Sequence, residues 1–334
     1  MEEKINIVRC PLKETGRRLD GYGKIFIVCD RNVRHVADRI GVQAAGIMEI
    51  EAVEGNKTLQ TVLDINRWLM EQGADRDAFV LGIGGGITTD MTGFAASVYK
   101  RGVRFGFIPT TVLSQVDAAI GGKNGVNLDS YKNMIGVFRQ PEVVFICPEP
   151  LGTLPEGQKV SGAAELLKTF IISNEDGNYE KAVGLLSERR FDALADLIAA
   201  AAGVKAGIAG RDPMEHGERR LLNLGHTFAH AIEKLSEERI SHGNAVAMGI
   251  ILSARLAGKL GLAAEGLASR LESDFTACGL PVKNPFGVRE MVGAMRKDKK
   301  AEGGLIHFVL PLEIGRVETR SLSPEEAAEY LDKQ

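Results

Sequence analysis

"AFVLGIGGGITTD", residues 78–90, decides the fold of the first half of this chain. Ala78 to Ile83 form an apolar run of the kind found in strands covered on both faces. Gly84, Gly85 and Gly86 then permit a tight turn, and "TTDMTGFAASVYKRG" (88–102) continues with helical spacing and a closing glycine. A strand that turns through glycines into a helix leaves backbone amides free at the helix N-terminus, where an anion such as phosphate binds. Gly82 and Gly84 begin like the dinucleotide fingerprint G-x-G-x-x-G, but Ile87 occupies the third glycine position. A tight turn with no ligand is the competing reading, because glycines also serve turns for steric reasons alone.

Outward from this stretch the pattern repeats. "KIFIVCD" (24–30), "VRFGFIPTT" (103–111) and "EVVFICP" (142–148) read as further buried parallel strands, and "NKTLQTVLDINRWLMEQG" (56–73) as a helix between them. Strand and helix in alternation predict a doubly wound, Rossmann-like α/β domain over residues 1–148. After "CPEPLGTLPEGQ" (147–158) the segments 163–172, 191–210, 224–235 and 243–261 all carry helical patterns. Residues 149–334 are therefore expected to form a mainly α-helical domain, with a small hairpin in "GGLIHFVLPLEIGRVET" (303–319) and a last helix in "SPEEAAEYLDK" (323–333).

Bulk properties narrow the partners. A chain of 334 residues is long enough for two domains, and 44% hydrophobic with 25% charged residues is ordinary for a globular protein. A net charge of −3 gives no general attraction to nucleic acid or an anionic membrane, so neither is expected as a partner. The four cysteines, Cys10, Cys29, Cys147 and Cys278, form no C-x-x-C pair and read as reduced structural thiols. The N-terminus "MEEKINIVRC" lacks the basic and apolar regions of a signal peptide, so the expected location is cytoplasmic. The longest apolar candidate, "NAVAMGIILSARLAGKLG" (244–261), is broken by Arg255 and Lys259 and reads as a core helix.

Two further regions carry chemistry. In "IPTTVLSQVDAAIGGKNGVNLDSYKNMIGVFRQP" (108–141), Thr110 and Thr111 end a strand, Asp117 follows, Lys123 sits among glycines, and Lys132 and Asn133 come close after. Read as a loop, this stretch lets backbone approach a ligand while lysines supply charge for phosphate or carboxylate. In the helical half, Glu165, His226 and His242 offer one carboxylate and two imidazoles, a donor set that leaves a divalent metal an open position. The rival arrangement uses His226 and His230, four apart on one helix face, and packed core histidines remain a third possibility. Lys168, Arg219 and Asn223 accompany these candidates and suit an anionic substrate. His35, His216 and His307 stand alone and read as surface or packing residues.

Together "GGGITTDMTGFAASVYKRG", "IPTTVLSQVDAAIGGKNGVN" with "KNMIGVFRQP", "SGAAELLK", and "RRLLNLGHTFAH" with "SHGNAVAMG" resemble the 3-dehydroquinate synthases of the sugar phosphate cyclase family, in order from about residue 24 to about residue 315. The resemblance implies an NAD+- and zinc-dependent homodimer, with cobalt as a possible substitute metal. Its implied reaction is a carbon–oxygen lyase step of the shikimate pathway. The seven-carbon sugar acid phosphate DAHP is transiently oxidised at C5, loses phosphate, is reduced again and closes by an aldol reaction to 3-dehydroquinate. Residue by residue, Glu165, His226 and His242 match the metal ligands, while His230 matches a position beside the phosphate. Asp117, Lys123, Lys168, Lys205, Arg219 and Asn223 match catalytic positions, and Arg101, Asn133 and Lys299 substrate-binding ones, with Lys300 the alternative to Lys299. Asp30, Glu54, Lys57, Gly85, Gly86, Asp90, Thr110, Thr111 and Lys132 match the cofactor positions.

One departure stands out: Asn244 occupies a place commonly held by glutamate in the family, where an acidic neighbour can orient a ligating histidine. Three other readings compete: a metal-dependent alcohol or polyol dehydrogenase, a sibling cyclase acting on sedoheptulose 7-phosphate or glucose 6-phosphate, and a non-catalytic NAD-binding module. Retention of the cationic set and all three metal donors ranks them below the lyase.

Overall fold

A computed structural model describes residues 5–129, 131–296 and 304–332. The chain divides into two compact units, Met1–Pro155 with Ile198–Met214, and Glu156–Leu197 with Glu215–Gln334. A single cut after residue 148 differs from this division in one substantial way, because residues 198–214 belong to the first unit. One tie within that unit is at Lys205, whose ammonium lies 2.6 Å from the Asp117 carboxylate and donates to the Asp117 carbonyl at 2.7 Å.

The first unit contains strands β1 (Ile7–Arg9), β2 (Ile25–Asp30), β3 (Gly46–Ile50), β4 (Phe79–Gly84), β5 (Arg104–Pro109), β6 (Lys123–Leu128), β7 (Tyr131–Phe138) and β8 (Val143–Ile146). Its helices are α1 (Leu12–Arg18), α2 (Arg34–Ala37), α3 (Leu59–Glu71) and α4 (Gly86–Val98). Six strands form one sheet in the order β1-β8-β5-β4-β2-β3, and every pairing in it is parallel. β4 and β8 are buried along their whole length, which explains why these strands read as unbroken apolar runs. This is the doubly wound α/β domain expected from the alternation.

β6 and β7 depart from the expected polar loop. They form a separate antiparallel hairpin, in which Gly125 faces Gly136. Polar and glycine residues hide the strand signal here, yet glycine is what the packing requires: a Cβ on Gly136 would come within 2.2 Å of the Asn124 carbonyl oxygen. On α4, Gly93 makes room for the same hairpin, since its Cβ would lie 2.0 Å from Asn124 Oδ1.

The remaining helices are α5 (Glu156–Ile172), α6 (Asn178–Ser187), α7 (Ala195–Arg211), α8 (His226–Leu235), α9 (His242–Lys259), α10 (Leu267–Ala277), α11 (Val288–Arg296) and α12 (Pro324–Asp332). The second unit adds the expected antiparallel hairpin, β9 (Ile306–Glu313) with β10 (Arg316–Leu322). By length and composition the stretch Phe191–Arg211, rather than 244–261, is the one that could cross a membrane among the described residues. Its Leu194, Ile198, Ala201, Ala202, Ile208 and Ala209 are buried within the protein and Lys205 is ion-paired, as in an interior helix of a globular fold. All four cysteines are free and buried.

The glycine packing is testable on α4 and α7. Gly93→Ala forces the Asn124 amide away from the carbonyls of Gly122 and Arg139, which it bonds at 3.0 and 2.8 Å. The expected cost of about 1–3 kcal/mol exceeds the gain of about 1 kcal/mol that alanine brings to a helix. Gly203→Ala, where an added Cβ meets nothing within 4 Å, keeps that gain. Thermal unfolding should therefore show a lower midpoint for the first variant and an unchanged or higher one for the second; equal midpoints would show that Asn124 yields freely.

Candidate active site

In the six-stranded sheet the chain moves outward from β2 to β3, then returns to place β4 on the other side of β2. The order therefore reverses between β2 and β4, and doubly wound sheets receive ligands beyond the carboxyl ends of strands at such a reversal. Asp30 ends β2, Gly84 ends β4, and Gly85 and Gly86 cap and open α4. Gly85 brings no side chain to the first amides of α4, which stay available to an anion. The glycines also keep the wall thin: a Cβ on Gly86 would touch Ala118 Cβ at 3.0 Å, and one on Gly85 would reach Thr111 Cγ2 at 3.3 Å. The Thr110 N–H donates to the Gly84 carbonyl at 2.9 Å, and the Thr111 hydroxyl pairs with Ser114 Oγ at 2.8 Å. Asp30, Gly85, Gly86, Thr110 and Thr111 thus line the carboxyl end of the sheet.

A polar network lies in the same unit. The nearly buried Lys57 ammonium sits 2.5 Å from Asp90 Oδ2 and donates to Asn133 Oδ1, also at 2.5 Å. Burial raises the Asp90 pKa to about 6, against the lowering pull of Lys57. Asn127 joins this group: its Nδ2 donates to Glu54 Oε1 at 2.7 Å and its Oδ1 accepts from the Asn133 N–H at 2.9 Å. The structure thus brings Glu54, Lys57, Asp90 and Asn133 together through a residue that sequence reasoning missed. Asn127 sits in "GVN", where nothing local distinguishes it from a strand asparagine. Lys123 and Lys132 are exposed on the hairpin, and Arg101 is exposed in the turn after α4 with a left-handed φ of 68°. Asp117 lies in a single π-helical turn, Ser114–Ala118, facing Lys205.

The second unit holds the metal candidates. Glu165 lies within α5, whereas His226 and His242 are the first residues of α8 and α9. Glycines let these elements meet: a Cβ on Gly243 would fall 1.8 Å from the Ser161 carbonyl oxygen, and one on Gly249 would fall 2.2 Å from that of Gly225. His226 Nε2 and His242 Nε2 then stand 3.6 and 3.4 Å from Glu165 Oε1. Among the described residues this trio is the group of His, Cys, Asp or Glu whose ligand atoms all lie within 4.8 Å of one another.

The donor set fits a divalent cation. His226 Nδ1 lies 3.2 Å from the Leu224 carbonyl oxygen and His242 Nδ1 lies 3.4 Å from Glu233 Oε2, so both rings turn Nε2 towards the shared point. Burial, reinforced by the Lys168 charge, holds the His226 pKa well below its usual value and keeps the ring in the neutral, ligating form. At His242 burial acts in the same direction, but the carboxylates of Glu165 and Glu233 outweigh it and raise the pKa to about 10. Glu233, also missed from sequence, supplies an acidic partner to His242. Its signal was its position seven residues after His226, two helical turns along the same face.

His230 lies outside the trio, its ring 5.7 Å from that of His226 and perpendicular to it. Lys168 is buried against Glu165 Oε2. Arg219 is buried, and Asn223 in the same turn donates to Glu215 Oε1 at 2.5 Å. Lys299 and Lys300 lie outside the described residues.

Comparison with known proteins agrees with this geometry. Residues 47–161 match the family "3-dehydroquinate synthase N-terminal" and residues 162–301 match "3-dehydroquinate synthase C-terminal". The chain belongs to the 3-dehydroquinate synthase family. The 3-dehydroquinate synthase of Pyrococcus abyssi is 44% identical over 273 residues, covering 82% of this chain and 80% of its own length. That of Dictyoglomus thermophilum is 38% identical over 303 residues, covering 90% and 85%. Among solved structures, 2-epi-5-epi-valiolone synthase from Streptomyces hygroscopicus, with NAD+ and Zn2+ bound, superimposes with a TM-score of 0.86 at 27% identity, covering 99% of this chain and 96% of its own. A maleylacetate reductase from Agrobacterium tumefaciens shares the fold, with a TM-score of 0.66 at 15% identity over 100% of this chain and 96% of its own.

Equilibrium dialysis against zinc tests the division of labour among the histidines. His226→Ala should lose bound metal and His230→Ala should keep it, whereas Glu233→Gln should weaken binding by roughly 10–100-fold through loss of an outer carboxylate. Equal metal loss in the two histidine variants would place His230 among the ligands.

Proposed function

We propose that this chain is a carbon–oxygen lyase that converts DAHP into 3-dehydroquinate and inorganic phosphate, the shikimate-pathway reaction of its family, without net oxidation. The observation that carries this reading is the trio formed by buried Glu165 with the half-buried His226 and His242. It occurs in a chain with a dinucleotide-type sheet reversal and 44% identity to a 3-dehydroquinate synthase. Bound NAD+ would supply a reversible hydride acceptor for C5, and a divalent ion held by the trio, zinc or alternatively cobalt, would polarise the C4 and C5 oxygens.

The chain's own residues bind and orient the substrate. Lys168, Lys205 and Arg219, each buried, are suited to the substrate's carboxylate and phosphate, because cations that have lost their water attract anions strongly. Lys123, Asn133 and Asn223 add hydrogen-bond donors, with Arg101 and Lys299 as further substrate contacts. His230, beside the metal position without joining it, is assigned to the departing phosphate. Asp117, oriented by Lys205, is assigned to the hydroxyls near the reacting carbon. Asp30, Glu54, Lys57, Asp90, Lys132 and the amides of Gly85 and Gly86 are assigned to NAD+, with Thr110 and Thr111 at its nicotinamide end. A cytoplasmic homodimer acting on a small phosphorylated sugar acid completes the proposal.

The likeness to 2-epi-5-epi-valiolone synthase makes a sibling cyclase the second reading. The deciding experiment incubates purified protein with NAD+, zinc and DAHP, and follows phosphate, 3-dehydroquinate and NADH together with a chelator control. Equal phosphate and 3-dehydroquinate, no accumulating NADH and loss of turnover with chelator are expected. Turnover of sedoheptulose 7-phosphate or glucose 6-phosphate in place of DAHP would move the assignment to a sibling, and NADH formed in step with product would move it to a dehydrogenase.

A further inference from the structure

The β6–β7 hairpin carries an irregularity at a significant place. Val126 pairs with Ile135 and Leu128 pairs with Tyr131, so on β6 Asn127 alone stands opposite Lys132, Asn133 and Met134 on β7. The surplus residues form a bulge, a device that re-aims side chains near functional sites. Asn133 within it takes a left-handed φ of 52°, a conformation that needs support from its surroundings. Asn127 supplies that support. Its Oδ1 accepts the Asn133 N–H at 2.9 Å, a backbone group that the irregular ladder leaves beside it. Its Nδ2 donates to Glu54 Oε1 at 2.7 Å, and its own N–H donates to the Lys57 carbonyl at 2.9 Å. The circuit closes where Lys57 Nζ reaches Asn133 Oδ1 and Asp90 Oδ2, both at 2.5 Å.

We infer that Asn127 is a positioning residue that locks the bulge and couples the cofactor-facing group Glu54, Lys57 and Asp90 to the substrate-facing Asn133. The inference rests on the functional reading above for what those residues hold. Its two side-chain bonds run in opposite senses, acceptor towards the bulge and donor towards Glu54, and the asparagine amide supplies both from separate atoms. Aspartate in its place keeps the acceptor but sets a second carboxylate against Glu54.

The test compares wild type, Asn127→Ala and Asn127→Asp in the full chain, by NAD+ titration without substrate, by steady-state kinetics with DAHP, and by thermal unfolding. Asn127→Ala is expected to weaken NAD+ binding and raise the substrate KM, each by about tenfold, as for loss of a hydrogen bond to a charged or buried partner, with a smaller change in kcat. Asn127→Asp should recover most of the KM while NAD+ binding stays weak. Binding and KM within twofold of wild type in both variants would overturn the inference, as would a lowered midpoint as their sole effect. If alanine prevents folding, the aspartate variant decides by its split between the two constants. Absence of DHQ formation in wild type would instead refute the functional reading, while the NAD+ titration would still report on Asn127.

Discussion

A carboxylate with no contact with water constrains the second unit. Glu165 is fully buried in α5, and a buried charge costs several kcal/mol unless opposite charge and donors surround it. Lys168, one turn along the same helix, meets one oxygen. The other faces two imidazoles carried by the first residues of α8 and α9. That requirement reaches far into the packing. Backbones must approach closely enough to bring three ligands to one point, which is why glycine stands at 225, 243 and 249. The same arrangement gives a divalent cation its natural place, because the ion would replace the proton that Glu165 and Glu233 hold on His242 and leave both rings as neutral ligands.

The first unit follows the same logic with different means. Lys57 is nearly buried and answers to Asp90, and Lys205 answers to Asp117. Each pair joins elements distant in sequence, so electrostatic pairing fixes the irregular segments that the sheet itself cannot. The hairpin β6–β7 lies outside the six-stranded sheet and is held over α4 by close glycine contacts and the Asn127 circuit. Loops and bulges at a sheet's carboxyl end are free to carry chemistry because the parallel core beneath them is rigid and fully covered.

Much of this was legible in residue order. Continuous apolar runs identified β2, β4, β5 and β8, since strands buried on both faces need apolar side chains at every position. Helical spacing identified the segments that became α3 to α9, apart from α6, whose mixed polar composition carries a weaker signal. The hairpin escaped because its glycines and polar residues satisfy close packing and side-chain bonding rather than pleat hydrophobicity. The division of the chain also escaped a single cut, for the tie between Lys205 and Asp117 spans 88 residues and leaves no local mark.

The sequence by itself determined the buried strands β2, β4, β5 and β8, the helices α3 to α5 and α7 to α9, the glycine turn, and the inventory of donors, because these depend on spacing within a few residues. Spacing could not choose between His230 and His242 as the partner of His226, although the family resemblance matched His242. A helix places His226 and His230 on one face, and that proximity is local and visible. The choice fell to tertiary structure, because Glu165 is the centre to which ligands must converge and only the crossing of α5, α8 and α9 decides which imidazole nitrogens reach it. Asn127 and Glu233 were decided in the same way, each acting through a partner that only the folded chain brings within hydrogen-bond distance.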